Sequence, residues 1–248
     1  MTLRYYSQSG EDALLWCVFE GRSAGFFIEV GAFDGRYLSN TLSFEEQGWS
    51  GICVEAHPDY AALCRSNRQR STCVQACCVG PGQPSTVRFL SEPLGILSGI
   101  QADETPDLPG RYAARGMVFP GFTEVEVRAR TLDDIIAEYH PGITQVDFLS
   151  VDVEGTEIDV LRGFSLDARV VVAEANTEQS RQSLHEYMAH RGYIPARSIE
   201  QNFFFALDPQ TADLLGSATF DITTERTTHP LGAAATHPAH TGRKLCLG

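Results

Sequence analysis

The chain has 248 residues, of which 43% are hydrophobic, and it carries a formal net charge of −13. This length and apolar content predict one α/β domain with a packed core. The acidic balance argues against nucleic acid or an anionic membrane surface as the partner, because both attract clustered lysine and arginine. A neutral or cationic small molecule fits the charge better.

The seven cysteines show no paired C-x-x-C spacing, so they are predicted to be reduced core residues. No run approaches the roughly 18 apolar residues that span a bilayer, and the N-terminus shows no signal-peptide pattern. We therefore expect a cytoplasmic protein without a membrane partner. Near the N-terminus, Leu14, Leu15, Val18 and Phe19 fall on one face of a predicted helix. Ser9 and Asp12 before them have the spacing of a capping box.

The segment from Phe26 to Gly35 is the centre of the sequence. Its apolar run contains Glu29 and stops at Gly31, which predicts a buried parallel strand followed by a sharp turn close to a ligand. A second such strand, one helical segment later, ends in Glu55. In βαβ nucleotide sites, an acid at this position accepts hydrogen bonds from ribose hydroxyls.

The loop after the first strand favours S-adenosylmethionine over NAD. Dinucleotide loops with the motif G-x-G-x-x-G bind a pyrophosphate through backbone amides that no side chain covers. Here the loop contains Asp34, so a phosphate would meet a carboxylate. S-adenosylmethionine carries no phosphate, and Glu29 and Asp34 favour its cationic sulfonium and ammonium groups. An NAD-dependent oxidoreductase and a noncatalytic sugar-binding module on the same fold remain open as alternatives.

The next segments predict two crossover helices and a long connection. Residues 38–47 form the first helix, where Ser39 and Asn40 either cap the N-terminus or bind the carboxylate of the cofactor. Pro58 begins the second helix, and a third strand follows near residues 73–79. Two alternating strands then flank residues 92–122, a glycine- and proline-rich connection. We expect it to be the acceptor-binding loop, mobile until the acceptor binds.

Polar side chains follow two further buried strands, with Asp152 and Glu154 after one and Glu174 and Asn176 after the next. Because the carboxyl ends of parallel strands meet at one edge, we expect all four near the ligand. Two arrangements would activate a hydroxyl acceptor. Asp152 or Glu154 acts as a general base, or Asp152, Glu174 and Asn176 hold Mg²⁺.

The chain ends in a predicted hairpin and a tail. Residues 193–200 and 202–207 read as two strands, which put an antiparallel strand at the end of an otherwise parallel sheet. Residues 1–217 then form the domain, and residues 218–248 are expected to be poorly ordered or a simple cover. Of the tail histidines, His229, His237 and His240 lack the spacing of metal ligands.

Six motifs occur in the order seen in one known family: SQSGED (7–12), IEVGAFDG (28–35), SNT (39–41), VEA (54–56), TLDD (131–134) and DVEGTE (152–157). The sequence resembles the FkbM family of S-adenosylmethionine-dependent methyltransferases. The resemblance implies a class I methyltransferase fold, a Rossmann-like three-layer sandwich whose seven-stranded sheet is mostly parallel with an antiparallel last strand. It also implies methyl transfer to a hydroxyl of a sugar, glycan or polyketide-like small molecule.

The resemblance adds to the expected cofactor contacts. It implies that Glu29, Gly31 and Glu55 contact the cofactor, and it supports an interpretation in which Gln8 and Asp12 line the mouth of the site. The full predicted set of cofactor-binding residues is Gln8, Glu29, Gly31, Ala32, Asp34, Ser39, Asn40, Glu55, Ala56 and Asp152.

Overall fold

A computed structural model describes residues 3–95, 97–100, 108–236 and 244–247 of the chain. The strands are β1 (Phe26–Val30), β2 (Ser50–Glu55), β3 (Ser71–Gln75), β4 (Cys77–Cys78), β5 (Thr86–Ser91), β6 (Thr123–Arg130), β7 (Val146–Val151), β8 (Ala168–Glu174), β9 (Ile194–Ile199), β10 (Asn202–Ala206), β11 (Phe220–Thr223) and β12 (Lys244–Leu247). The α-helices are α1 (Glu11–Phe19), α2 (Leu42–Glu46), α3 (Pro58–Asn67), α4 (Leu108–Ala113), α5 (Leu132–Tyr139), α6 (Glu157–Arg162), α7 (Glu178–His190) and α8 (Pro209–Ser217).

The main sheet has seven strands in the order β3-β2-β1-β7-β8-β10-β9. Strand β10 runs antiparallel to both of its neighbours, and the other recorded pairings in this sheet are parallel. The predicted class I methyltransferase sheet is therefore confirmed. The antiparallel strand is the last strand of this sheet in chain order, as predicted; in space it lies one position inside the edge, because β9 pairs outside it.

Helices cover both faces of the sheet, and β1 shows why. Its alternating side chains divide between two cores, with Ile28 on one face and Phe27 on the other, and both are fully buried. Helices α5, α6 and α7 pack on the Ile28 face, whereas α1, α2, α3 and α8 pack on the Phe27 face. Each such side chain contributes roughly 1.5–3 kcal/mol of transfer free energy. The strand is thus fixed from both sides, and its C-terminal end is a rigid place for a site.

Two predicted helix starts were wrong. The N-cap of α1 is Gly10, which has no side chain to accept a capping hydrogen bond, and the carboxylate of Asp12 accepts from Tyr6 N (2.8 Å) and Ser7 Oγ (2.6 Å). Helix α2 begins at Leu42 rather than near residue 38. The preceding residues stay in a loop because the side chains of Ser39 and Thr41 bond to Glu29. The predicted start at Pro58 is confirmed, and α5 begins after its N-cap Thr131.

The predicted third strand divides into two. Strand β3 stays in the main sheet, while β4 leaves it and pairs with β6 in a small sheet of order β4-β6-β5. The two alternating segments pair antiparallel, as β5 and β6. This small sheet carries the long connection. The described part of that connection packs more tightly than expected, since Leu94 and Tyr112 are fully buried.

The tail covers the domain over its described part. Strand β11 pairs with β12, Thr224 forms a bridge to Tyr5, and His229 is buried. Residues 218–236 thus lie against the domain as a cover, the second of the two alternatives stated for the tail. His237 and His240 lie outside the described residues. Among the helices that the structure describes, none combines the length and apolar character needed to cross a membrane.

Candidate active site

A cavity of about 460 Å³ opens at the C-terminal ends of β1, β2, β7 and β8. Its size lies within the usual range for small-molecule sites. Nine of the ten predicted cofactor-binding residues line it: Gln8, Glu29, Gly31, Ala32, Ser39, Asn40, Glu55, Ala56 and Asp152. Asp34 does not. Its Oδ1 accepts hydrogen bonds from Arg36 N (2.9 Å) and Tyr37 N (2.7 Å), so this carboxylate shapes the loop from within.

Gly31 lets β1 and β7 approach closely at the floor of the cavity. Its φ is +83°, and a Cβ there would lie 1.8 Å from the carbonyl oxygen of Asp152. The backbone N of Asp152 in turn donates to Val30 O at 3.0 Å. The glycine therefore fixes where the chain leaves β7, and with it the position of the Asp152 side chain.

Glu29 organises the loop between Leu38 and Leu42. Its carboxylate accepts hydrogen bonds from Asn40 N (2.8 Å) and Thr41 Oγ1 (2.6 Å) and from the Ser39 hydroxyl. Burial raises the pKa of Glu29 to about 7, and Arg68 opposes that rise. Its contacts make Glu29 a support for the cavity wall, in addition to the cofactor contact predicted for it.

Arg68 is a buried residue that the sequence analysis missed. Its guanidinium pairs with Glu45 (Nε–Oε2 2.8 Å) and with Glu29 (Nη1–Oε2 3.4 Å), and it donates to Gly35 O at 3.2 Å. It follows the last residue of α3, where a cation is common because of the helix dipole, so no pattern distinguished it from a surface arginine. In the structure it connects α3 to the loop after β1.

Glu55 holds two backbone segments together. Its Oε2 accepts from Phe33 N (2.8 Å) and its Oε1 from His57 N (2.7 Å). Burial raises the pKa of Glu55 to about 7. The carboxylate lines the cavity and each oxygen retains a lone pair, so it can still accept hydrogen bonds from ribose hydroxyls.

A group of three carboxylates lies at the ends of β7 and β8. Oxygen atoms of Asp152, Glu154 and Glu174 lie within 4.8 Å of one another. Asp152 is exposed toward the open cavity, but protein surrounds its other sides. Desolvation therefore raises the pKa of Asp152, whereas a hydrogen bond with Glu174 opposes that rise. Desolvation and the charge of Asp152 raise the pKa of Glu174 well above its usual range. The pair therefore retains a proton more readily than two isolated carboxyls.

Two neighbours shape this group. Glu154 has φ +59°, a left-handed conformation that is strained for a residue with a side chain. The predicted metal ligand Asn176 directs its amide toward Glu174, with an Nδ2–Oε2 distance of 2.8 Å. The three carboxylates that lie close together are therefore those of Asp152, Glu154 and Glu174, and Asn176 contacts them through its hydrogen bond to Glu174.

The N-terminal loop brings Gln8 to the cavity, whereas Asp12 is completely buried and does not line it. The interpretation in which Asp12 lines the mouth was wrong. Glu11, next to it, joins two walls: its Oε2 accepts from Ser9 N (2.8 Å) and its Oε1 from Asn202 Nδ2 (2.9 Å). Glu11 thus connects the loop with Gln8 to the turn between β9 and β10.

The described part of the long connection forms a roof over the cavity, to which residues 97–100 and Arg115 contribute. Within the roof, the fully buried Glu92 accepts from Leu94 N (2.8 Å), from Leu97 N (3.0 Å) and from the hydroxyl of Tyr112. The buried His229 of the tail lies 2.7 Å (Nε2) from the carbonyl oxygen of Leu94. The predicted acceptor loop is therefore at the site, and its described part is held by specific contacts.

The sheet order and the cavity at its carboxyl edge define a class I methyltransferase. The chain belongs to the methyltransferase FkbM domain family, whose model matches residues 29–195, well over half of the chain. The match confirms the resemblance stated above and the class of S-adenosylmethionine-dependent methyltransferases. It also removes the oxidoreductase alternative.

A similar curated protein is methyltransferase sdnD of Sordaria araneosa, 32% identical over 86 residues, or 30% of this chain. The chain spans about a third (33%) of that relative's length. Similar solved structures include precorrin-6y C5,15-methyltransferase from Geobacter metallireducens, with 14% identity, a TM-score of 0.38 and coverage of 78% of this chain and 84% of that one. The METTL16 methyltransferase domain has 10% identity, a TM-score of 0.42 and coverage of 79% and 66%. The fold assignment rests on the strand order itself.

Proposed function

We propose that this protein transfers a methyl group from S-adenosylmethionine to a hydroxyl of a sugar, glycan or polyketide-like small molecule. The observation that carries the proposal is the carboxylate group of Asp152, Glu154 and Glu174, which faces the same cavity as Glu55. One cavity thus combines an acid suited to a ribose with acids suited to proton removal. The acceptor itself is inferred from the family resemblance.

The cavity residues suit this cofactor. Glu55 offers its oxygens to ribose hydroxyls, and Gly31 and Ala32 let the ligand approach the backbone. Gln8, Ser39 and Asn40 provide polar groups for the amino-acid end. The bound cofactor supplies a methyl group on a cationic sulfur, and the acidic lining attracts that charge.

The chemistry left to the protein is to hold the acceptor and to remove its proton. We assign the proton to a carboxylate oxygen of Asp152, or of its neighbour Glu154. A base is most effective when its pKa lies near the working pH, and the raised pKa of Asp152 moves it in that direction. Glu174 and Asn176 then act as positioning residues for Asp152.

A second arrangement uses Mg²⁺ held by Asp152, Glu174 and Asn176. Carboxylate and amide oxygens are the ligands that this ion prefers, and the clustering of Asp152 with Glu174 supports the arrangement. The direction of the Asn176 amide, with its nitrogen on Glu174, argues against it, because a metal would require the amide oxygen. A metal bound here would acidify the acceptor hydroxyl.

Thermal shift with S-adenosylhomocysteine, with NAD as the negative control, tests the cofactor. A ligand at 100 times its Kd should stabilise the fold by about 2.7 kcal/mol. Mass spectrometry of hydroxylated sugars and polyketides incubated with the protein and S-adenosylmethionine tests the transfer. A mass gain of one methylene per acceptor supports it. Acceptor binding without methyl transfer would instead support the noncatalytic alternative.

The cysteines support a reducing compartment such as the cytoplasm as the place of action, because Cys17, Cys53, Cys64, Cys73, Cys77 and Cys78 are free thiols.

A further inference from the structure

Three cysteines that are far apart in the sequence meet beside the cofactor wall. Cys53 and Cys73 are register partners in the β2–β3 ladder, and Cys64 packs onto them from α3. Their sulfur atoms lie within 4.8 Å of one another, and the Cys64 thiol donates toward Cys73 Sγ at 3.3 Å. Cys53 and Cys64 are buried, whereas Cys73 is only partly buried.

We propose that Cys64 and Cys73 form a reversible disulfide when a peroxide oxidises Cys73, and that this bond weakens binding of the cofactor. The second half rests on the proposed function. Neither cysteine takes part in the chemistry assigned to the cavity, and neither lines it.

Cys73 is suited to react first. Its partial exposure gives a small oxidant access to the sulfur. Hydrogen bonds from the thiols of Cys53 and Cys64 lower the pKa of Cys73, and the positive charge of Arg68 acts in the same direction. A thiolate beside a cation is the reactive form of cysteine.

The reaction has two steps. The Cys73 thiolate attacks one oxygen of hydrogen peroxide, the O–O bond breaks, and hydroxide leaves a sulfenic acid behind. The Cys64 sulfur then attacks the Cys73 sulfur, the S–O bond breaks, and the leaving hydroxide takes the Cys64 proton to form water. Two electrons pass from the two thiols to the peroxide, and a dithiol such as dithiothreitol returns them.

Charge favours this chemistry over a thiolate metal site. Three thiolates would leave two negative charges with Cu⁺, or one with Zn²⁺, beside Arg68, which already pairs with Glu29 and Glu45. A disulfide is neutral and places no further demand on that arginine. The Cys64 and Cys73 sulfur atoms already lie 3.3 Å apart.

The bond would act on the loop after β1. A Cβ on Gly35 would lie 2.9 Å from Cys64 Sγ, so this sulfur packs directly against the loop. The C-terminal end of α3 also holds the loop, because Asn67 Nδ2 donates to Asp34 O (2.8 Å) and Arg68 Nη1 to Gly35 O (3.2 Å). A disulfide is about 2.05 Å long, so Cys64 and Cys73 must approach by more than about 1 Å. That movement withdraws support from the loop that includes Gly31 and Ala32.

The test compares protein treated with hydrogen peroxide and protein kept in dithiothreitol. Fragmentation mass spectrometry of the tryptic digest should find a Cys64–Cys73 link, since trypsin cuts between them at Arg65, Arg68 and Arg70. The Kd for S-adenosylhomocysteine should rise at least about fivefold on oxidation and return after reduction. Cys73→Ser should keep the reduced affinity in peroxide. Cys17→Ser is the control, because Cys17 is partly exposed and lies outside the thiol cluster; it should respond like the unsubstituted protein.

Absence of the link, or a link that leaves the Kd unchanged, overturns the proposal. Stoichiometric binding of Zn²⁺ or Cu⁺ that is lost in Cys53→Ser and Cys73→Ser also overturns it, in favour of a metal site. If the reduced protein does not bind S-adenosylhomocysteine, the proposed function fails, whereas the mass spectrum still decides whether the disulfide forms. If Cys73→Ser does not fold, Cys64→Ser provides the same comparison.

Discussion

Asp152 stands at the point where the sheet, the cavity and the carboxylate group meet. Its backbone is fixed by a hydrogen bond to β1 and by the close approach of Gly31. Asp152→Asn keeps the size of the side chain but removes its charge. We expect turnover to fall by roughly 10²-fold or more, with little change in affinity for S-adenosylhomocysteine. Steady-state kinetics and calorimetry on the same preparation measure both quantities.

Asp213→Asn is the matched control, because Asp213 is exposed on α8. Chelation with EDTA then separates the two arrangements at Asp152. Turnover that stops with EDTA and returns with Mg²⁺ supports the metal, whereas unchanged turnover supports the general base. Near-normal turnover of Asp152→Asn would contradict both.

Gly31 offers a second test at the scale of one residue. Gly31→Ala places a Cβ 1.8 Å from Asp152 O, at a backbone φ of +83°. Gly21→Ala is the control, because Gly21 has a similar φ of +78° and no atom within 4 Å of the added carbon. We expect Gly21→Ala to lower the unfolding free energy by about 1–2 kcal/mol, from backbone strain alone. Gly31→Ala should lower it by clearly more and should also abolish binding of S-adenosylhomocysteine. Equal losses in urea unfolding would show that the close approach has no effect.

The sequence predicted which residues reach the site better than it predicted what each one does. Acids and glycines at strand ends follow from the period of the apolar runs, so Gly31, Glu55 and Asp152 could be placed. The partners of these residues could not, because tertiary contacts decide them. Asp34 turns into its own loop, and the thiol cluster forms only through pairing of β2 with β3 and packing of α3.

At the scale of elements, the roof depends on a buried hydrogen bond. Tyr112 donates its hydroxyl to the carboxylate of Glu92, and both residues are completely buried. Tyr112→Phe leaves that carboxylate with one donor fewer. We expect a loss of about 1–3 kcal/mol in unfolding free energy and faster amide exchange in residues 92–100.

Tyr139→Phe serves as the control for the roof, since Tyr139 lies on α5 and is 42% exposed. This control should change the unfolding free energy by less than about 0.5 kcal/mol, and it should leave the amide exchange rates of the roof unchanged. Unchanged exchange of residues 92–100 in Tyr112→Phe would mean that other contacts hold the roof, such as that between His229 and Leu94.

Elements with a clear period were predicted, and the connections between them were not. The parallel strands and the helix at Pro58 follow from apolar runs and from proline at the first helical position. The shortened α2 could not be foreseen, because hydrogen bonds from the side chains of Ser39 and Thr41 to Glu29 compete with helix formation before Leu42. The same holds for the roof, whose buried Glu92 has no signature in a glycine- and proline-rich segment.

At the scale of the whole molecule, the acidic character continues into the interior. Glu11, Asp12 and Glu55 are buried and hydrogen-bonded mainly to backbone amides and neutral side chains. The acids of the cavity wall therefore belong to a wider set of carboxyls held near strand and helix ends. Folding brings these groups into surroundings that disfavour their charge, so stability must depend on pH.

The last prediction concerns that dependence. Burial raises the pKa of Glu11 and of Glu55 to about 7 and that of Asp12 to about 6. Carboxyls with raised folded pKa values contribute stability that is fully present below their ordinary pKa of about 4 and is lost as the pH rises through 6–7. Even one such group changes the unfolding free energy by roughly 2–3 kcal/mol, so Tm should fall by at least about 5 °C between pH 5.5 and pH 8. Burial lowers the pKa of His229, so the contribution of this histidine to stability increases as the pH rises. The net decrease in Tm is therefore smaller than the buried acids alone would give.

Calorimetric scans in 0.5 M salt separate the effect of the buried acids from general repulsion at a net charge of −13, because salt screens surface charges but not buried ones. A Tm that stays constant or rises from pH 5.5 to pH 8 would show that these carboxyls are ionised at little cost in the folded protein.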